Sequence, residues 1–123
     1  MRHKVPGLLV DIRDAARYIA EDTAGHSFES FRADRRVRQV VERNFEIIGE
    51  AMRRLSRDDP VLAGRITAYQ RVIGLRNALI HGYDVINYPT VWHTIQESLP
   101  LLRAEVDLLL REAEPETEGD DPS

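Results

Sequence analysis

The chain has 123 residues, the usual size of one domain and too few for two ordinary ones. Hydrophobic residues make up 42% and charged residues 31%, which is typical of a soluble, folded domain. Cysteine is absent, so disulfides, thiolate metal sites and cysteine nucleophiles are excluded. No apolar run is long enough to span a membrane or to act as a secretory signal, so we expect a cytoplasmic protein.

Charge is distributed unevenly along the chain. The net charge is −4, but residues 112–123 carry six acidic residues and no basic one. Without those six charges the rest of the chain is at +2, and 16 of its 17 basic residues are arginines, which bind phosphate and carboxylate in a bidentate fashion. We interpret residues 1–111 as one mildly basic domain and residues 112–123 as an acidic, disordered tail.

Apolar spacing in the first half predicts two long helices. The first is predicted over Pro6–Thr23, because apolar residues recur there every three or four positions. A connection over His26–Asp34, with a short helical turn inside it, leads to a second helix over Ala33–Ser56. Phe45 and Ile47 widen the apolar stripe of that helix, so we expect it to contact more than one neighbour.

The second half is also predicted to be helical. A third helix runs from Leu62 or Arg65 to Ile80, with Gly82 as its C-terminal cap and a loop through residues 87–89 after it. The last helical segment covers residues 90–112 and is expected to split near Ser98, because Pro100 removes a backbone hydrogen bond. No segment alternates as a strand does. The predicted fold is an all-α, up-and-down bundle of four to five helices.

An arginine interrupts the apolar face of the third predicted helix. On a helical wheel Arg76 falls between Val72 and Tyr69, inside the apolar arc. A charge in that position is costly unless it is paired or lines a cleft. Three interpretations are open: the guanidinium extends to solvent, it pairs with a carboxylate such as Glu46 or Glu50, or it belongs to a functional site.

His81 follows Arg76 by five residues, about 140° around a continuous helix. The two side chains would converge only if the helix ends near Ile80, or if a second subunit supplies one of them. At a helix C-terminus the dipole favours imidazolium. A histidine beside a fixed positive charge suits phosphodiester chemistry, whereas a simple C-terminal cap is the alternative.

Two polar residues flank this pair. Asn77 could hold His81, bind a ribose or be solvated. Tyr83 could contact RNA, be covalently modified or pack against the end of the bundle.

Four arginines crowd the start of the second predicted helix. They are either contacts for RNA phosphates or a solvated charged face: Arg32, Arg35, Arg36 and Arg38. The four histidines lack the spacing of metal-ligand pairs and no phosphate-binding glycine loop occurs, so we expect neither a metal nor a cofactor. Trp92, the single tryptophan, is expected to pack the last helices together.

The sequence over residues 76–83, RNALIHGY, resembles the R-x4-H-x-Y signature of HepT-like proteins. These are minimal HEPN ribonuclease toxins encoded beside a small nucleotidyltransferase called MntA. Two further segments resemble the family: ERNFEIIGEA at residues 42–51, and VWHTI followed by LPLL within residues 91–102. The resemblance covers residues 8–111.

The resemblance implies a homodimer in which two R-x4-H segments face each other across one composite cleft. Such proteins cut RNA without a metal, by attack of the substrate's own 2′-hydroxyl on the adjacent phosphate. By this resemblance Arg76 would stabilise the phosphate, His81 would transfer protons and Asn77 would support the cleft. Tyr83 occupies the position where the nucleotidyltransferase attaches AMP and blocks the toxin.

We therefore expect a metal-independent RNA endonuclease, the toxin of a type VII-like toxin–antitoxin pair. The alternative is a non-catalytic HEPN module that binds a nucleotide or a nucleotidyltransferase partner. A purely structural helical dimer would leave Arg76 unexplained. Gly82 departs from the family, in which many members have a larger residue, and the acidic tail lies outside the matching motifs.

Overall fold

The computed structural model describes residues 4–80 and 86–113, which form seven α-helices and one π-helical turn. The helices are α1 (Lys4–Thr23), α2 (Phe28–Ala33), α3 (Arg35–Asp58), α4 (Pro60–Ala63), α5 (Tyr69–Ile80), α6 (Tyr88–His93), the π-helical turn (Thr94–Ser98) and α7 (Leu99–Ala113). Four of them are long: α1, α3, α5 and α7. Within the described ranges there is no strand, so the predicted all-α class is confirmed.

Side-chain caps define the connections around α3. Ser27 and Ser30 form a reciprocal capping box that starts α2. Asp34 accepts hydrogen bonds from the backbone N–H groups of Arg36 and Val37 and so starts α3. Asp59 ends α3 and caps α4, so the predicted stop at residues 58–60 is confirmed.

The predicted start of the third helix, at Leu62 or Arg65, is wrong. A short helix, α4, occupies residues 60–63, and the following helix begins only at Tyr69. The cause is a long-range contact: the backbone N–H and the hydroxyl of Thr67 both donate to the carboxylate of Glu105 on α7, at 2.8 and 2.6 Å. These bonds hold residues 64–68 as a turn against α7.

The predicted interruption before Pro100 is confirmed. The π-helical turn ends at Ser98, just before α7, which carries Pro100 at its second position. The predicted loop over residues 87–89 is mostly helical instead. Asn87 caps α6, because its side chain accepts from the backbone N–H of Thr90, and Pro89 lies in the first turn, where a proline is well tolerated.

Helix α3 lies at the centre of the fold, packed against α1 on one side and α5 on the other. This confirms the prediction that it contacts more than one neighbour. Helix α7 packs on the remaining side of α1. The core includes fully buried side chains of α1, α3 and α7, among them Ile12, Phe45, Ile48, Met52 and Leu102.

Trp92 joins helices that are distant in sequence. Its ring lies 5.1 Å from that of Phe31 and 6.5 Å from that of Phe28, measured between centroids. It therefore packs α6 against α2.

Helix α7 is held to the turn before α5 by a second contact. The guanidinium of Arg65 donates two hydrogen bonds of 2.9 Å to the carboxylate of Glu112. Glu112 and Ala113, the first two residues of the predicted tail, belong to α7. The rest of that tail, residues 114–123, lies outside the described residues. None of the described helices combines the length and apolar character that a membrane span requires.

Candidate active site between α3 and α5

Helices α3 and α5 are in close contact at Gly49. A Cβ atom built there would overlap the Cβ of Arg76 and would lie 2.7 Å from its Cγ and 3.0 Å from its Cδ. The missing side chain at position 49 thus leaves the space in which the stem of Arg76 lies across α3.

The guanidinium of Arg76 is held by two polar neighbours. Its Nη2 lies 2.9 Å from Oε1 of Glu50, and its Nη1 donates to Oδ1 of Asn77 at 3.3 Å. Its Nε is buried and has no hydrogen-bond partner among the described residues. Of the interpretations left open by the sequence, pairing with Glu50 is confirmed, whereas Glu46 pairs with Arg43 at 3.7 Å.

Glu50 is shared by three arginines. Arg53 donates two hydrogen bonds to its carboxylate, Arg54 donates one, and Arg76 completes the set. The hydrogen bonds from Arg53 are the main reason that the pKa of Glu50 lies below its usual value; Arg54 and Arg76 act in the same direction, and burial opposes them. Three positive charges around one negative charge leave an excess of +2.

A cleft of about 280 Å³ opens beside this cluster. Its lining combines residues of α1, α3 and α5: Leu8, Asp11, Arg43, Glu46, Ile47, Glu50, Ala51, Arg54 and Arg76. The side chain of Arg76 is 20% exposed, so its stem is packed while part of the residue remains accessible to solvent. The lining carries three guanidiniums and three carboxylates, so an anionic group in the cleft would bind on the side of the arginines.

His81, which is predicted to act together with Arg76, lies outside the described residues. Helix α5 is described as far as Ile80, and residues 81–85, which include His81, Gly82 and Tyr83, are not described. The convergence of Arg76 with His81 therefore stays a prediction. Asn77 accepts a hydrogen bond from Arg76, and its predicted support of His81 or a ribose stays a prediction.

The four arginines predicted to contact RNA lie elsewhere on the surface. Arg32 is on α2, and Arg35, Arg36 and Arg38 occupy the first turn of α3. Among the described residues none of the four forms an ion pair with a carboxylate, unlike the arginines around Glu50. Arg38 lies over the ring of Tyr88, 5.4 Å from its centroid.

Sequence reasoning missed three residues of the site: Gly49, Arg53 and Arg54. The two arginines follow Glu50 by three and four positions, a helical spacing that could have indicated their ion pairs. The role of Gly49 depends on which helix crosses α3 at that point, so no local signal reveals it.

The bundle and its arginine-lined cleft define an all-α, HEPN-like helical protein. The sequence matches the family described as Ribonuclease HepT-like over residues 12–109. The chain therefore belongs to that family, as the motifs in residues 42–51, 76–83 and 91–102 predict.

Relatives extend over almost the whole chain. "Putative RNase MJ1380" of Methanocaldococcus jannaschii is 32% identical over 108 residues, 88% of this chain and 98% of the relative. "Probable ribonuclease HepT" of Thermococcus cleftensis is 31% identical over 109 residues, 89% and 98% of the two chains. "Putative RNase TTE0752" of Caldanaerobacter subterraneus is 31% identical over 103 residues, 84% and 91% of the two chains. No solved structure gives a significant match.

The contact at Gly49 can be tested with two glycine-to-alanine variants, one at the contact and one away from it. Gly49→Ala places a methyl group on the stem of Arg76, so we expect the free energy of unfolding to fall by roughly 1–3 kcal/mol. Gly74→Ala, on the exposed side of α5, meets no described atom within 4 Å and should raise it by about 0.4–1 kcal/mol. Urea denaturation measures both, and equal effects of the two substitutions would contradict the close approach.

The lowered pKa of Glu50 predicts a pH dependence. A carboxyl group whose pKa is lower in the folded than in the unfolded state stabilises the fold above its unfolded pKa, and this contribution is lost as the pH falls. The difference in unfolding free energy between wild type and Glu50→Gln should therefore shrink from about pH 6 to about pH 3. Glu97→Gln, at an exposed position without a described ion pair, is the control. A difference that stays constant with pH for Glu50→Gln would refute the assignment.

Proposed function

We propose that this member of a ribonuclease family is a metal-independent RNA endonuclease, the toxin of a two-protein toxin–antitoxin pair of type VII. The functional unit is the helical domain of residues 1–111, acting as a homodimer in the cytoplasm. The observation that carries the proposal is the guanidinium of Arg76, fixed by Glu50 at a cleft that Arg43 and Arg54 also line.

The geometry of Arg76 suits stabilisation of a phosphate. Its stem is packed against Gly49 and its Nη2 is anchored on Glu50, so little conformational entropy remains to be lost when an anion binds. Preorganised positive charge of this kind stabilises the additional negative charge that a phosphate acquires in the transition state.

The proposed reaction needs only groups of the protein and the RNA. The 2′-oxygen of one ribose forms a bond to the adjacent phosphorus, the bond from phosphorus to the 5′-oxygen breaks, and a 2′,3′-cyclic phosphate results. His81 takes the proton from the 2′-hydroxyl, and the imidazolium that forms delivers it to the leaving 5′-oxygen. Arg76 faces the phosphate, and Asn77, which contacts Arg76, helps to hold it.

Dimerisation is part of the proposal because of the angular separation between Arg76 and His81. Five residues on one helix place the two side chains about 140° apart, whereas two copies of the segment could contribute residues to the same cleft. Arg32, Arg35, Arg36 and Arg38 would bind phosphates farther along the RNA.

Control of the toxin is assigned to Tyr83. A partner nucleotidyltransferase of the MntA type would transfer AMP from ATP to the phenolic oxygen, with pyrophosphate as the leaving group. The added phosphate is negatively charged and lies two residues from His81, where it would compete with the phosphate of the RNA.

Substitution of the two proposed catalytic residues tests the reaction. His81→Ala and Arg76→Ala should each reduce RNA cleavage and growth inhibition by at least about 100-fold, the typical contribution of such a group, with the helical circular dichroism retained. Arg57→Ala, which removes an exposed arginine of α3 that pairs with Asp58, is the matched control and should cleave at the wild-type rate.

Cleavage by the wild type should persist in EDTA. Full activity of the His81→Ala variant would contradict the proposed mechanism. A pure wild-type protein that cleaves no RNA but binds its nucleotidyltransferase would instead establish the non-catalytic alternative.

Modification is tested by mass spectrometry after co-expression with the nucleotidyltransferase encoded beside this protein. The wild type should gain AMP on Tyr83 and lose its nuclease activity, because the added phosphate blocks the cleft. Tyr83→Phe should stay unmodified and active in the presence of the same partner. AMP found only at another tyrosine, such as the exposed Tyr18, would refute Tyr83 as the acceptor.

A further inference from the structure

We propose that a second cleft, between α2, the start of α3 and α6, is a subsite that binds one nucleotide of the RNA away from the scissile phosphate. Its base would stack against Phe28 and the guanidinium of Arg38, and its phosphate would contact Arg32 and Arg38. This inference rests on the proposed ribonuclease function and extends it to a binding surface remote from Arg76.

The cleft has the size and composition of a nucleotide site. Its volume is about 640 Å³, within the usual range for pockets that hold small organic ligands. Its lining joins two aromatic rings, two arginines and one carboxylate: Phe28, Glu29, Arg32, Ala33, Arg38 and Tyr88. Aromatic rings and arginines together are the means by which proteins bind single-stranded RNA.

The planar group of Arg38 is already oriented. It lies over the ring of Tyr88, and its Nη1 donates to the backbone carbonyl of Arg32. The ring is fixed in turn, because its hydroxyl donates to Oε2 of Glu42 at 2.8 Å. Burial and this bond to Glu42 raise the pKa of Tyr88, so the hydroxyl remains a neutral donor at physiological pH. Arg38 is thus a preformed plane on which a base can stack.

The charge around the cleft favours phosphate. Arg32, Arg35, Arg36 and Arg38 form no ion pair with any described carboxylate. Asp34, the nearest acid between them in sequence, is used to cap α3. An incoming phosphate therefore meets guanidiniums that no described carboxylate already binds.

The aromatic side of the cleft suits a base. Phe28 is half-buried and is backed by Trp92, with ring centroids 6.5 Å apart, so its position is supported from behind. Glu29 lines the same cleft and can accept a hydrogen bond from a base amino group or a 2′-hydroxyl. This acceptor favours a base and ribose on the Phe28 side and the phosphate on the arginine side.

One ridge of α3 connects this cleft with the candidate active site. Arg38 is followed at four-residue spacing by Glu42, Glu46 and Glu50. Each of these glutamates is held by a side chain of the protein: Tyr88, Arg43 and Arg76, respectively. Arg38 and Glu50 are twelve residues apart, about 18 Å along a helix that rises 1.5 Å per residue. A strand of several nucleotides could span this distance, whereas a dinucleotide could not.

Binding of RNA without cleavage tests the subsite. A fluorescein-labelled decaribonucleotide is titrated against the full-length His81→Ala protein and against further variants made in it, at several salt concentrations. Arg38→Ala should weaken binding about 5- to 20-fold and reduce the slope of log K against log salt by about 0.7, the value for one lost contact to single-stranded nucleic acid. Arg103→Ala, at an exposed arginine of α7 without a described ion pair, should change binding less than about twofold.

Loss of base stacking should lower the affinity for RNA without changing its salt dependence. Phe28→Leu should weaken binding at least about fivefold with the salt slope unchanged, because no charge is lost. Arg38→Lys keeps the charge but removes the plane, so it should also lose affinity without a change in slope. Either variant binding RNA as tightly as its parent, or Arg38→Ala behaving like Arg103→Ala, would overturn the subsite.

Cleavage assays separate this inference from the proposed function. In the otherwise wild-type enzyme, Arg38→Ala should raise KM for the decaribonucleotide much more than KM for a dinucleotide, whereas Arg103→Ala should leave both values unchanged. An equal loss on both substrates would contradict a remote subsite. Cleavage retained by His81→Ala would instead contradict the proposed mechanism, while the effects of Phe28 and Arg38 on binding would still be measurable.

Discussion

The close approach of α3 and α5 at Gly49 is the constraint on which the candidate site depends. Because no side chain is present at that position, the stem of Arg76 lies directly against α3 and its guanidinium reaches Glu50 on the next residue of the same helix. An arginine on a helix face that packs against another helix must be compensated, and Glu50 provides that compensation. The contact at Gly49 thus both packs the two helices together and fixes the position of the guanidinium of Arg76.

The carboxylate of Glu50 holds several guanidiniums together without neutralising their positive charge. Glu50 holds Arg53, Arg54 and Arg76 together, yet the three guanidiniums exceed its charge by two. The carboxylate reduces the repulsion among the guanidiniums but does not neutralise them. The start of α3 differs, because its arginines have no described acidic partner, and Arg38 is oriented by Tyr88 and the backbone carbonyl of Arg32 instead.

Local signals were sufficient for much of the fold. The predicted bounds of α1 and α3 lie within two residues of those observed, because apolar periodicity and the capping residues Asp34 and Asp59 act within a single turn. The start of α5 was missed because Thr67 is held by Glu105, 38 residues away in sequence. The contacts of Trp92 with Phe28 and Phe31 were missed for the same reason, since these two rings lie on a helix much earlier in the chain.

The sequence also predicts only a part of the candidate site. The position of Arg76 in an apolar arc was visible on a helical wheel, and Glu50 was one of two carboxylates expected to pair with it. The choice between Glu46 and Glu50, and the need for glycine at position 49, depend on how two helices cross. Neither can be read from one helix alone. The motif over residues 76–83 gave the family, which helical periodicity alone does not identify.

A double-mutant cycle on the unfolding free energy tests the central contact most directly. Glu50→Gln, Arg76→Gln and the double variant are compared with the wild type by urea denaturation at neutral pH. If Arg76 is anchored on Glu50, the losses of unfolding free energy in the two single variants should add up to more than the loss in the double variant, by roughly 1–2 kcal/mol. Effects that add within about 0.3 kcal/mol would show that the two groups act independently, and the account of an anchored guanidinium would be wrong.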